Sequence, residues 1–203
     1  TRWQRDSIDF SLNLAQVPQT IQGEQIHNKI KLAGGAKIAP HEIAFTFQDS
    51  YFNILNKTWR IEEDNLITWQ DSSITVKDIF IRRTRRRKGA AYIGLAGRVS
   101  YDPHDTLQLS LNNIRITPFA KLAGMNASGL LRSSFKIHQG YTNLQVDGEA
   151  YVYNLMIDSV LIGDIMANKL AWEDSTQQAA IDLDLYRRSM HPMLGLYGTY
   201  SPF

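Results

Sequence analysis

Apolar and polar residues alternate with a period of two along most of the chain. Ile8, Phe10, Leu12 and Leu14 are separated by Asp9, Ser11 and Asn13. Ile43, Phe45 and Phe47 repeat the pattern, as do Ile93, Leu95, Gly97 and Val99, then Leu107, Leu109 and Leu111. Leu144, Val146, Gly148, Ala150 and Val152 follow, and Ile181, Leu183 and Leu185 come last. Alternation puts one set of side chains on one face of a sheet, so each run predicts a strand with one apolar face. Turn-forming residues separate the runs at Gly34–Gly35, Asn56–Lys57, Asp71–Ser73, Tyr101–Pro103, Gln139–Gly140 and Asp174–Thr176. Residues 15–23 predict an irregular linker. Residues 117–126 predict the single helix, a short one, with Thr117 as N-cap and Pro118 at the first helical position.

Three segments break the alternation in the same way. VKDIFI (76–81), LNNIRI (111–116) and VYNLMI (152–157) share the form apolar, x, Asp or Asn, apolar, x, apolar. The apolar phase slips by one at each: Val76 to Ile79, Leu111 to Ile114, Val152 to Leu155. A flat strand cannot keep both sets on one face across a step of three. A β-bulge can, and Asp and Asn tolerate the left-handed conformation involved. The sequence therefore predicts bulges at Asp78, Asn113 and Asn154. The fold class that follows is all-β: a long curved antiparallel sheet forming a trough or flattened solenoid, one module over residues 1–203.

Composition narrows the chemistry. Of 203 residues, 43% are apolar and 21% charged, and the net charge is +2, too small to signal a nucleic-acid binder. There is no cysteine, which removes disulfides, thiolate metal sites and a Cys nucleophile. No apolar run reaches the roughly 18 residues of a membrane-spanning helix. Thr1 opens the chain and Phe203 follows the strand-like LGLYGTY, a pattern read as a segment of a longer protein whose signal or anchor lies outside it. His27, His41, His104, His138 and His191 show no metal-ligand spacing. Asp102, His104 and Asp105 surround Pro103 in a predicted exposed turn. Glu62, Glu63 and Asp64 read as a polar turn and not as an acid/base pair. No enzymatic activity and no cofactor is expected.

Residues 42–83 also carry a recognisable order of motifs. Ser50, Tyr51, Phe52, Ile54, Trp59 and Ile61 come first, then Asn65 and Ile67, then a strand with Ile74 and Asp78. Residues 97–200 continue it with GRVSYDPHDTLQLSLNNIRITPF, MNASGLLRSSFKI, YVYNLMIDSVLIGDIMANKLAW and AAIDLDLYRRSMHPMLGLYGTYSP. This ordered set resembles the C-terminal β-groove region of the TamB/AsmA-like family (translocation and assembly module) over about four-fifths of the chain, with residues 1–40 matching less well. Arg82–Lys88 departs from the family pattern. The resemblance implies a protein of the Gram-negative periplasm, anchored in the inner membrane outside this segment. It implies an outer-membrane assembly barrel of the TamA kind as partner, and a role in outer-membrane protein assembly or phospholipid movement.

A groove of that kind would be lined by Phe10, Leu12, Phe45, Phe47, Ile79, Ile81, Leu109, Leu111, Ile114, Val152, Leu155, Ile157, Leu183 and Leu185. Its expected ligand is a phospholipid or another acyl chain. The run of Arg82, Arg83, Arg85, Arg86, Arg87 and Lys88 predicts a hairpin tip suited to anionic headgroups. It lacks interleaved aromatics, so nucleic acid is not expected. The competing expectation is a closed β-sandwich binding carbohydrate or protein.

Overall fold

The computed structural model describes residues 6–21, 24–54, 57–83, 90–139, 141, 143–187 and 192–201. It is all-β: strands make up 72% of those residues, beside one short helix. The strands pair antiparallel. The chain divides into two compact units, Thr1–Arg98 and Val99–Phe203.

The first unit holds β1 (Asp6–Ala15), β2 (Gln19–Ile21), β3 (Glu24–Ile26), β4 (Lys29–Ala39), β5 (Glu42–Phe47), β6 (Tyr51–Ile54), β7 (Lys57–Ile61), β8 (Leu66–Gln70), β9 (Ser73–Arg83) and nearly all of β10 (Tyr92–Val99). The segment expected to be irregular forms part of the small β2–β3 hairpin. β4 carries β1 along one edge and, on the other, β5 at one half and β6 at the other. β9 faces them in the same divided way, pairing with β8 through Lys77 and with β7 from Ile81. The columns between β4 and β9 are thus each built from two short strands, with an interruption midway.

Two buried polar side chains mend that interruption. Ser50, 1% exposed, takes the Ala33 N–H on its Oγ and donates back to the Ala33 carbonyl, both at 2.9 Å. Asn65, 5% exposed, accepts from the Phe47 N–H at 2.7 Å and donates to the Phe47 carbonyl at 2.9 Å and to the Glu62 carbonyl. Both side chains imitate a neighbouring strand, so the Ala33 and Phe47 backbone groups keep partners where the ladder breaks.

Gly34 and Gly35, expected in a turn, lie inside β4. A Cβ on Gly34 would overlap the Thr46 carbonyl oxygen and lie 3.1 Å from the Phe10 ring. Glycine serves close strand approach at this position, not chain reversal.

The second unit is a meander of neighbours: β11 (Thr106–Arg115), β12 (Ala127–His138), β13 (Gln145–Ile157), β14 (Val160–Glu173), β15 (Gln178–Tyr186) and β16 (Leu194–Tyr200). The helix α1 (Thr117–Leu122) joins β11 to β12 and packs on β12. Its cap is Ile116, with helical angles and no capping side chain, so Thr117 is the first helical residue and not the expected N-cap. Gly124 at φ 72° ends the turn, as a left-handed residue after a helix does.

All three expected bulge residues are left-handed: Asp78 at φ 51°, Asn113 at 50° and Asn154 at 49°. The ladders shift between Leu111 and Ile114 and between Val152 and Leu155. Asp78 lies where β9 leaves β8 for β7. In the second unit the intervening strands kink at glycine: Gly129 at φ 157° and Gly163 at 131°. Gly129, Asn154 and Gly163 line up across β12 to β14 as a transverse row, and Asn113 stands beside it, opposite Arg132 of β12. Bulges bend strands and raise their twist, so the row curves this sheet.

Candidate functional site

Directly opposed residues of an antiparallel pair share a face, so the registers assign every side chain. In the second unit Leu109 opposes Phe135, which opposes Gly148, which opposes Leu170, then Ile181 and Gly198. Leu111, Ser133, Ala150, Ala167, Leu183 and Leu196 form the next row. Leu131, Val152, Ile165, Leu185 and Leu194 form the third, reached from β11 through Ile114. One face of all six strands is therefore apolar. The other carries Gln108, Lys136, Asp147, Ala171, Ala180 and Thr199 in one row, and Arg132, Tyr151, Met166 and Asp184 in another.

The first unit is sided in the same way. Phe10, Gly34 and Phe47 form one row, and Ile8, Ala36, Phe45, Ile67 and Val76 another. Phe10 and Phe47 meet edge to face across Gly34, with centroids 6.1 Å apart. The Asp78 bulge keeps Val76 and Ile79 in phase, and both are buried. Ile81 opposes Ile61.

The sequence-predicted lining residues thus fall on one face within each unit, but they differ in cover. Ile79, Ile114 and Leu155 are buried. Phe10, Phe45, Phe47, Ile81, Leu109, Leu111, Val152, Leu183 and Leu185 are half-buried. Leu12 and Ile157 are exposed at 46% and 44%. The core is thin: among the described residues the buried apolar set is Ala36, Ile61, Val76, Ile79, Ile114, Ala120, Leu155 and Ala167. The chain exposes 13929 Å² for 23.1 kDa. A compact monomer of that mass exposes about 9,700 Å², and two separate compact halves about 11,600 Å².

The basic run is divided. Arg82 lies on the polar face, where its Nε sits 2.6 Å from Glu62 Oε1 in ion-pair contact without hydrogen-bond alignment. Its guanidinium covers the Phe80 and Tyr92 rings at 5.0 and 5.1 Å. These contacts occupy Arg82 within the fold. Arg83 takes the other face, opposite Trp59 at the end of β9. Arg85, Arg86, Arg87 and Lys88 lie outside the described residues.

Titration is perturbed at a few places on the polar faces. Hydrogen bonding and charge from Lys31 hold the Asp49 carboxyl below its usual range. Burial, then the nearby Glu149 charge, raises Tyr151. Burial, then Asp184, raises Tyr186. Asp102, His104 and Asp105 form a tight turn: His104 N–H donates to Asp102 Oδ1 at 2.9 Å, and Ser100 Oγ to Asp105 Oδ2 at 2.6 Å.

Sequence reasoning missed the kink glycines and one further irregularity, the shift between Ala167 and Lys169 in β14. The signal was present. Ala167, Leu170 and Trp172 repeat the step of three around Asn168, and admitting alanine as apolar finds it. No family model, curated protein or solved structure matches this chain.

Proposed function

We propose that the chain is a non-catalytic envelope module whose apolar β-face guides acyl chains, as the resemblance to TamB/AsmA-like proteins implies. Phospholipid is the ligand favoured by the chemistry of the face, and outer-membrane protein clients are the related possibility within that family. The observation that carries the reading is the register: an apolar face six strands wide in the second unit, half-covered at most of its positions. An ordinary monomer tolerates an open apolar patch of roughly 300–600 Å². A face of this width calls for a covering partner. A closed sandwich is built from two sheets, whereas the strands of the second unit are hydrogen-bonded in sequence into one.

Uniform aliphatic lining suits movement better than capture. Each buried CH₂ is worth about 0.8 kcal/mol, so a long acyl chain gains substantially, and neighbouring positions along the face offer nearly equal energy. A periplasmic setting and a TamA-like barrel partner belong to the same proposal. Native mass spectrometry of the purified protein tests it. Co-purified phospholipid, lost in Leu111→Asp while melting stays near normal, is the expected result. A clean apo mass together with no uptake of a fluorescent acyl probe would overturn it.

A further inference from the structure

The two loop ends of the second unit differ in character. At one end β11 runs into α1, the Asp158–Ser159 turn joins β13 to β14, and Met193 leads into β16. The turn is tied to the helix exit, because the Asp158 N–H donates to the Asn126 carbonyl at 2.9 Å. Here Phe119, Leu122, Met125, Val160, Met193 and Leu194 are between 50% and 64% exposed. Only Ala120 of α1 is buried, so the helix turns its larger apolar residues outward. The turns of the opposite end carry Asp102, Asp105 and Asp174, and their exposed apolar surface is chiefly the Tyr101–Tyr141 ring pair.

Charge follows the same division. Arg115, Lys121 and Arg187 fringe the apolar end, and Asp158 is the one carboxylate among the described residues of its connections. We propose that this end docks on the surface of an anionic lipid bilayer. The apolar side chains enter the boundary between headgroups and acyl chains, and the three cations face the phosphates. Side chains spread over three separate connections suit a bilayer, which requires buried apolar area but no matched shape. The surface lies at the end of the strands and shares only Leu194 with the rows of the apolar face; the variants below leave that face untouched, so the inference stands separately from its ligand.

Vesicle flotation tests it, using phosphatidylcholine vesicles with and without phosphatidylglycerol. The parent protein should float with the anionic vesicles. Phe119→Asp/Leu122→Asp should weaken that binding about tenfold or more, and Lys121→Glu/Arg187→Glu should remove the preference for anionic lipid. Tyr101→Asp at the opposite end should bind as the parent does. All these sites are at the surface, and circular dichroism checks that the fold is kept. Failure of the parent to float, or equal binding by Phe119→Asp/Leu122→Asp, would overturn the proposal. So would self-association of the parent that Phe119→Asp/Leu122→Asp abolishes, because this end would then be a protein interface. Absence of co-purified lipid would count against the acyl-guiding face alone.

Discussion

Asn65 carries more of the first unit than its polarity suggests. It replaces a strand for Phe47 and also holds the Glu62 carbonyl. Removing it leaves part-buried backbone groups without partners, which costs about 1–3 kcal/mol. Asn65→Ala should therefore lower stability by about 2–3 kcal/mol in urea unfolding, and Ser50→Ala by about 1–2 kcal/mol. The bulge asparagines behave oppositely. Asn113 at φ 50° should accept glycine within about 0.5 kcal/mol, whereas Asn113→Val should lose about 1–2 kcal/mol, because a branched Cβ meets the carbonyl in that conformation. Asp49 gives a pH test. Its depressed carboxyl contributes stability above its unfolded pKa and loses it as pH falls through the folded value. Both partners are at the surface, so the unfolding midpoint should scarcely respond. An NMR titration should instead show the Asp49 pKa moving up in Lys31→Ala. The positions of the bulge residues were legible because a phase slip leaves a sequence trace. The splicing role of Ser50 and Asn65 was not, because it depends on a strand interruption between residues far apart in the chain.

Strands were legible wherever one face is apolar, since period two survives even when nothing covers that face. Glycine was the weak point of that reading. Gly34–Gly35 suggests a turn by composition, yet tertiary approach of Thr46 makes it mid-strand. Gly129 and Gly163 look like ordinary strand glycines, yet they flank the Asn154 bulge on the two neighbouring strands. The candidate lining was readable as sets within strands, but its degree of cover was not. Cover depends on which strands lie beside each other and on what lies above them. The row gives a direct test at this scale. A Cβ on Gly163 would overlap the Tyr186 carbonyl oxygen, in a backbone conformation at φ 131° that side chains rarely adopt. Gly163→Ala should cost about 2–3 kcal/mol and separate β14 from β15, which hydrogen exchange would report as lost protection at Ile165 and Leu185. Gly198→Ala meets nothing within 4 Å and should change stability by less than about 0.5 kcal/mol. Equal effects at the two glycines would remove the structural role assigned to the row.

For the molecule as a whole, the exposed surface leads to a thermodynamic expectation that does not depend on function. The heat-capacity change of unfolding tracks the apolar area newly exposed, about 12–15 cal/mol/K per residue in ordinary globular proteins. For 203 residues that is about 2.4–3.0 kcal/mol/K. Here the native chain already exposes 13929 Å², well above the compact reference, so less remains to be uncovered. Calorimetry of the ligand-free protein should give a value lower by roughly a fifth, near 2 kcal/mol/K, and the urea m-value should fall in proportion. A ligand that covers the apolar face hides area in the folded state alone. Short-chain phospholipid should therefore raise both the melting temperature and the heat-capacity change, the first by mass action and the second by added burial. A soluble sugar should do neither. If the ligand-free protein instead shows the full value of a compact protein, its apolar faces are covered in solution, and a face open to acyl chains loses its physical basis.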